Sequence, residues 1–441
     1  MAKSAASLAA KRFERYYADS PSDNRNSAQR DRDRILYTSA FRRLAGVTQV
    51  VSAREGHVFH NRLTHSLEVA QFARRTAEKL IRDQGALAEK LGVDPDITEA
   101  AALAHDIGHP PFGHIAEDEL DKLLVADGVK DGFDGNAQSF RIVNLLALRR
   151  SSPPGLNLTR ATLNAILKYP WFRGTAGRKE KKWGAYHSEQ HIFEWARQPL
   201  SAGDERRTAE AELMNWADDV TYAVHDVEDF YRAGMIPLDR VATDRAERSR
   251  FLAFAELQFG GTSTEWRDMQ KAFRELITMI PVREQYSSSH RMRSSLRTLT
   301  AGLISRYISA IQLRIPVNAT ESTVVLDPER NNEVWALKQL AWYYVIKRPG
   351  LATQQYGQRK VIRTLYEMHT ESAVKRRDFT IFPAGFREAL EDLSGPQREF
   401  EANARRIVVD LIAGMTEKQA INMFHRLTGV SLGSVLDHLV P

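Results

Sequence analysis

The stretch Ala101-Ala102-Leu103-Ala104-His105-Asp106-Ile107-Gly108-His109-Pro110-Pro111 decides how this chain is read. Its first half is apolar at every position, as a buried helix requires. It then sets a histidine and an aspartate side by side. Polar groups of that kind are costly to bury unless something satisfies them, and a bound cation would do so. Asp94-Pro95-Asp96 supplies a capping start upstream, so the pattern predicts a helix over 97–107 that Pro110-Pro111 ends. On such a helix His105 and Asp106 stand about 100° apart and reach one ion beside the helix wall.

Two further segments supply partners. Asn61-Arg62-Leu63-Thr64-His65 opens a helix after the extended stretch Val58-Phe59-His60, and Asp218-Asp219-Val220 lies in a long helix predicted over 208–233. His65, His105, Asp106 and Asp218 thus offer two imidazoles and two carboxylates from three helices. A single histidine on an apolar face is more often a hydrogen-bonded core residue; the combination is what points to a metal. The chain has no cysteine, so any metal is held by nitrogen and oxygen, which suits a borderline divalent ion with open positions. Asp218, Tyr222 and Asp226 recur every fourth residue and share one helix face. His114 and Glu117 are neighbours if a helix restarts after Phe112-Gly113. A carboxylate there fixes the imidazole tautomer and suits general acid–base work; the alternative is a helix cap with a surface histidine. Arg62 and Lys168 are candidate phosphate-binding cations. No GxxxxGK[ST] loop is present to cradle phosphate instead.

The 441 residues suffice for one large domain or two to three smaller ones, and 43% hydrophobic with 27% charged is an ordinary soluble composition. No stretch approaches the roughly 18 consecutive apolar residues of a membrane span. Lys11, Arg12, Glu14 and Arg15 interrupt the Ala-rich start, which lacks a signal peptide's apolar core; the expected location is the cytoplasm, with no membrane partner. The net charge of +6 fits an anionic substrate or occasional nucleic-acid contact. Patterning divides the chain into a flexible arm (1–28), a catalytic core (29–235) and a helical C-terminal region (236–441), either continuous with that core or separate. Another helix is predicted over 288–313 and an edge strand over 322–326. Loops are expected over 127–132 and 173–178, the second running into the basic residues Lys179 to Lys182. The fold class is mostly α.

The H…HD…D pattern resembles the HD-domain phosphohydrolases and, within them, the bacterial deoxyguanosine triphosphate triphosphohydrolases and their relatives. The blocks at 30–44, 61–68, 105–114, 133–138, 168–171, 218–226 and 351–355 are similar to that family's, in family order over about residues 28–430. The resemblance implies an HD-domain helical fold with a helical C-terminal half. It implies His65, His105, Asp106 and Asp218 as ligands of one divalent metal, Mn or Mg, with Co, Ni or Fe as alternatives. It places His114, Glu117 and His109 beside the phosphates, His114 protonating the leaving oxygen. Arg62 and the Lys168-Tyr169 pair would contact the phosphates and base or sugar; Gln49, Tyr222 and Asp226 would read the sugar. The implied reaction takes a dNTP, dGTP or a broader range, to deoxynucleoside and inorganic tripolyphosphate. The alternatives are an HD hydrolase of another nucleotide phosphate ester, or a dNTP-sensing or single-stranded-DNA-binding protein on the same fold. A homo-oligomer, a dNTP activator, and single-stranded DNA at basic stretches such as Arg178 to Lys182 are the partners it implies. The 351–359 block either completes a pocket or forms an interface.

Overall fold

A computed structural model describes residues 11–19, 24–48, 60–174, 177–198, 204–318, 321–346 and 348–434. Helices dominate. Those that position the site are α1 (Ser27–Leu36), α2 (Arg62–Leu91), α3 (Pro95–Ala104), α4 (His114–Ala126), α5 (Gly135–Arg141), α6 (Arg160–Ile166), α7 (Ala209–Arg232), α8 (His290–Ile308), α9 (Pro328–Ala341), α10 (Pro349–Thr370), α11 (Gln397–Ala413) and α12 (Glu417–Leu427).

The alanines of α3 put it at the centre. Ile97, Thr98 and every residue from Ala100 to Ala104 are buried, and the short side chains let α1, α2, α6 and α7 all pack against this one helix. Asp94 caps it, accepting from the amides of Asp96 and Ile97, with Pro95 in the first turn. α2 starts with a capping box between Asn61 and Thr64 and ends on Gly92 at φ 72°. Its buried stripe, from His65 and Ser66 through Val69, Phe72, Ala73 and Thr76 to Leu80, recurs at helical spacing. The helix kinks at Gln84, whose amide group instead bonds Leu313 through both its N–H and its carbonyl.

Several expectations are corrected. The helix predicted over 97–107 ends at Ala104, and His105 to Gly108 form a turn. The cause is close packing on α5. A Cβ on Gly108 would lie 2.2 Å from both Gly135 O and Ser139 N. Ser139 Oγ accepts from Gly108 N at 3.0 Å and lies 3.0 Å from His105 O, so it takes over backbone groups that the helix would have used. Phe112 (φ 68°) and Gly113 (φ 57°) then turn the chain into α4. The helix predicted over 288–313 stops at Ile308. Its expected tail, Ile311–Leu313, is strand β1, pairing antiparallel with β2 (Val324–Leu326). Ile311-Gln312-Leu313 reads buried–exposed–buried, the period of a strand and not of a helix.

The flexible arm predicted over 1–28 does not extend through 11–19. Arg12 pairs with Glu210. Arg15 pairs with the fully buried Asp31 at 2.6 Å, whose other oxygen accepts from the hydroxyls of Thr159 and Thr162. Residues 1–10 lie outside the described residues. No break falls at residue 235: one hydrophobic core runs from Ala28 to Val345 and includes Ile236, Leu238, Val241 and Phe251. A second core joins α4 to α10, α11 and α12. Arg141 fastens the layers, contacting Asp410 on α11 at 2.8 and 3.0 Å and Glu189 at 2.5 Å, all three buried. Among the described residues no helix is long and apolar enough to cross a membrane.

Candidate active site

The chain leaves α3 at His105 because Gly108 must dock on α5, and that turn aims two polar side chains at the first turn of α2 and the middle of α7. His65 Nε2 lies 3.0 Å from Asp218 Oδ1. His105 Nε2 lies 3.5 Å from Asp106 Oδ1 and 3.5 Å from Asp218 Oδ1, too far for well-formed hydrogen bonds. It is buried and has no partner. The other ring nitrogen, Nδ1, donates to Ala102 O at 2.6 Å. A carbonyl only accepts, so the bond fixes the tautomer and leaves the Nε2 lone pair facing the cluster. Ligand atoms of His65, His105 and Asp106 lie within 4.8 Å of one another. An orphaned imidazole nitrogen among carboxylates is a donor set that fits a divalent ion of mixed N/O preference.

The electrostatics agree. Burial would push the Asp106 carboxyl up, but Arg62, His105 and His109 hold it well below the usual range. Burial likewise opposes ionisation of Asp218, and Lys168, His105 and His65 outweigh it. Burial lowers His65, whereas at His105 the two carboxylates overcome burial and raise it. Two ionised carboxylates therefore face a pocket that attracts positive charge.

The predicted site residues are placed as follows. Arg62, buried, pairs with Asp106. Lys168 Nζ donates to Asp218 Oδ2 at 2.6 Å. His109 is buried, its Nδ1 3.1 Å from Asp106 Oδ1 and its Nε2 3.9 Å from Glu117. Burial and Arg62 lower its pKa. His114, the first residue of α4, is exposed and bonds Glu117 Oε2 through Nδ1. Glu117 is buried; its Oε1 accepts from Gly135 N at 2.7 Å. Against the effect of burial, Lys182, His109 and His114 keep its carboxyl well below the usual range. Tyr222 faces the cavity. Asp226 lies one turn further along α7, fully buried with an unpartnered Oδ2, and burial with nearby Asp229 pushes it well above the usual range. Tyr169 borders the cavity beside Trp171, ring centroids 5.7 Å apart. Gln49 lies outside the described residues.

All of the placed residues but His65, Glu117 and Asp226 line one cavity of about 570 Å³, within the size of small-molecule sites. Sequence reading missed part of its lining. Lys182, read as the end of a basic run, turns inward, its Nζ 3.5 Å from both Glu117 and Asp134. A signal was available: Lys182 directly precedes the fully buried Trp183. Lys338, Trp342 and Ile346 close the opposite side with Leu351 and Gln355 of the 351–359 block, which therefore completes a pocket. Lys338 also pairs with Asp219.

Comparison with known proteins gives the family. Residues 62–223 match the HD domain family, a span that contains His65, His105, Asp106 and Asp218, and residues 324–426 match a phosphohydrolase-associated domain. The chain is 37% identical over 428 residues to a deoxyguanosinetriphosphate triphosphohydrolase-like protein of Corynebacterium efficiens, covering 94% of each. It is 37% identical over 434 residues to a protein of the same description from Streptomyces coelicolor, covering 94% of this chain and 96% of that one. The corresponding Bifidobacterium longum protein is 30% identical over 428 residues.

Proposed function

Because this chain belongs to the deoxyguanosinetriphosphate triphosphohydrolase-like family of HD-domain phosphohydrolases, we propose that it hydrolyses a deoxynucleoside triphosphate to the deoxynucleoside and inorganic tripolyphosphate. The observation that carries this reading is a juxtaposition: the His65/His105/Asp106/Asp218 cluster and the His114–Glu117 pair open into one cavity. Those four residues would hold the divalent ion, Mn or Mg, and when bound it supplies the Lewis acidity that polarises a phosphoryl oxygen.

The side chains do the rest. Arg62, Lys168 and Lys182 ring the cavity with positive charge that a triphosphate needs. Glu117 takes the Nδ1 proton of His114 in a hydrogen bond, so the proton available for transfer sits on Nε2. A water oxygen bonds to the α-phosphorus and gives its proton to solvent; as the bond from O5′ to that phosphorus breaks, the His114 proton goes to the departing O5′. His109, held neutral by burial and Arg62, donates a hydrogen bond to a phosphate oxygen. Tyr222 and, one turn further along α7, Asp226 bind the deoxyribose, and Trp342, Ile346 and Leu351 offer the apolar surface against which a base packs.

The test is incubation with each dNTP and Mn or Mg, followed by anion-exchange separation of the products. Deoxynucleoside and tripolyphosphate in equal amounts are expected. Monophosphate with pyrophosphate, or release of single phosphates, would overturn the reading. The same panel with a second dNTP present measures activation.

A further inference from the structure

Three ligand-type side chains that the proposed reaction does not use come together two turns along α7 from Asp218. His60 immediately precedes the capping box of α2, Glu68 lies on α2, and His225 lies on α7 seven residues after Asp218. Their ligand atoms all lie within 4.8 Å of one another. His60 Nε2 is 3.2 Å from Glu68 Oε1, and His225 Nδ1 is 2.5 Å from Glu68 Oε2. The two imidazoles stack, centroids 4.8 Å apart at 23°. Around a tetrahedral zinc with bonds of about 2.0–2.2 Å, adjacent donors stand roughly 3.3–3.6 Å apart. One observed separation is nearly that edge, and the other opens to it through a shift of about 1 Å.

Behind His60 stands Asp229. It is buried, and its Oδ2 accepts from both the backbone N–H of His60 (2.8 Å) and the ring Nδ1 (2.7 Å), while Oδ1 has no partner. A carboxylate on the remote nitrogen is the arrangement that fixes a ligating imidazole. Two carboxylates, Glu68 and Asp229, thus face the two rings, an arrangement that calls for positive charge. Either an extra proton or a cation answers that demand. The cluster opens on a cavity of about 1130 Å³ whose facing wall carries Arg232, Arg293 and Arg297, leaving room for a water or an oxyanion in a fourth position.

We propose that His60, Glu68 and His225 form a second divalent-metal site, of the two-histidine, one-carboxylate type suited to zinc, with Asp229 orienting His60. The experiment is metal-stripped full-length protein dialysed against Zn²⁺, with zinc counted per chain. Two equivalents are expected for the wild type, and one for each of Glu68→Gln and His225→Gln, with circular dichroism confirming the fold. Asp229→Asn should keep the second zinc but weaken it by about 10–100-fold. The His105→Ala/Asp106→Ala double variant should lose the other equivalent and keep this one, which separates the two sites and makes the result independent of the hydrolytic reading. Co²⁺ gives a second readout: its visible absorption bands should persist in that double variant and weaken in His225→Gln. One zinc per wild-type chain, or two retained in Glu68→Gln, would overturn the proposal and leave a protonated His60 bridging two carboxylates.

Discussion

On one side of the cavity, His65, Asp106, His109 and Glu117 are buried and each is paired with an ionisable neighbour, around the buried, unpartnered Nε2 of His105. On the opposite side, Trp342 is exposed, Ile346, Leu351 and Gln355 are half-buried, and all four lie at the junction of α9 and α10. The first wall is over-determined, as reacting groups must be when a small misplacement is costly in rate. The second is an apolar surface with few constraints, which can admit different bases without disturbing the first. On the proposed function, the difference teaches that rate and substrate range would be set by separate parts of the chain.

The sharpest way to break that division is His105→Ala/Asp106→Ala. Initial rates on the best dNTP should fall on the order of 10³-fold or more; full activity would remove the charged wall from the chemistry. Glu117→Gln comes next. It keeps the size of the side chain but removes the carboxylate that holds His114 Nδ1, so kcat should fall about 10²–10⁴-fold with KM little changed. A change in KM alone would make Glu117 a binding residue.

Stability should divide in the same way. Gly108→Ala drives a methyl into the backbone of α5 and should cost about 3 kcal/mol or more in urea unfolding. At Gly350, beside the opposite wall, a Cβ meets nothing within 4 Å, and Ala there should change stability by about 0.5 kcal/mol or less. Equal effects at the two glycines would refute the contrast. Trp342→Ala should raise KM roughly 10-fold for the preferred dNTP and leave kcat within about a factor of two. A collapse of kcat would place the apolar wall in the reacting geometry.

The smallest effect concerns Asp134, which faces Lys182 from the N-cap of α5. Burial raises it to about 6 despite Lys182. A raised folded pKa means the folded state keeps its proton longer than the unfolded chain does. This contribution is therefore present below the unfolded value near 4 and lost as pH rises through about 6. Asp134→Asn preserves the cap and should flatten that loss, on the order of 1–3 kcal/mol, in unfolding curves taken from pH 4 to 7. An unchanged slope would mean that Asp134 does not titrate there.

What could be read in the sequence follows the same boundary. His105 and Asp106 stand out because they are polar in an apolar run, and His65 and Asp218 because of the helices that carry them. Such contrasts survive without coordinates, and the helical fold follows from the same periodicity. The packing of Gly108 on Gly135 does not, because it depends on two backbones meeting across 27 residues, and it displaces the helix end from 107 to 104. β1 was hidden inside a helical pattern because its partner lies across a loop. Lys182 was hidden in a charge run. Trp342 and Ile346 belong to a segment whose apolar residues look like any half-buried helix. Chemistry that depends on residue type is legible; proximity that depends on tertiary packing is not.

The clamp between Arg141 and Asp410 sets a timetable. Glu117 accepts from Gly135, and Gly135 begins the short helix that ends at Arg141 and is fastened to α11. All proposed metal-holding residues are synthesised by position 218, yet the support behind the acid–base pair is complete only when Asp410 has left the ribosome. A chain ended between residues 345 and 397, which keeps the first core whole, should therefore bind metal without turning over dNTP. A chain ended before residue 397 that hydrolyses dNTP at the full rate would show that no such delay exists.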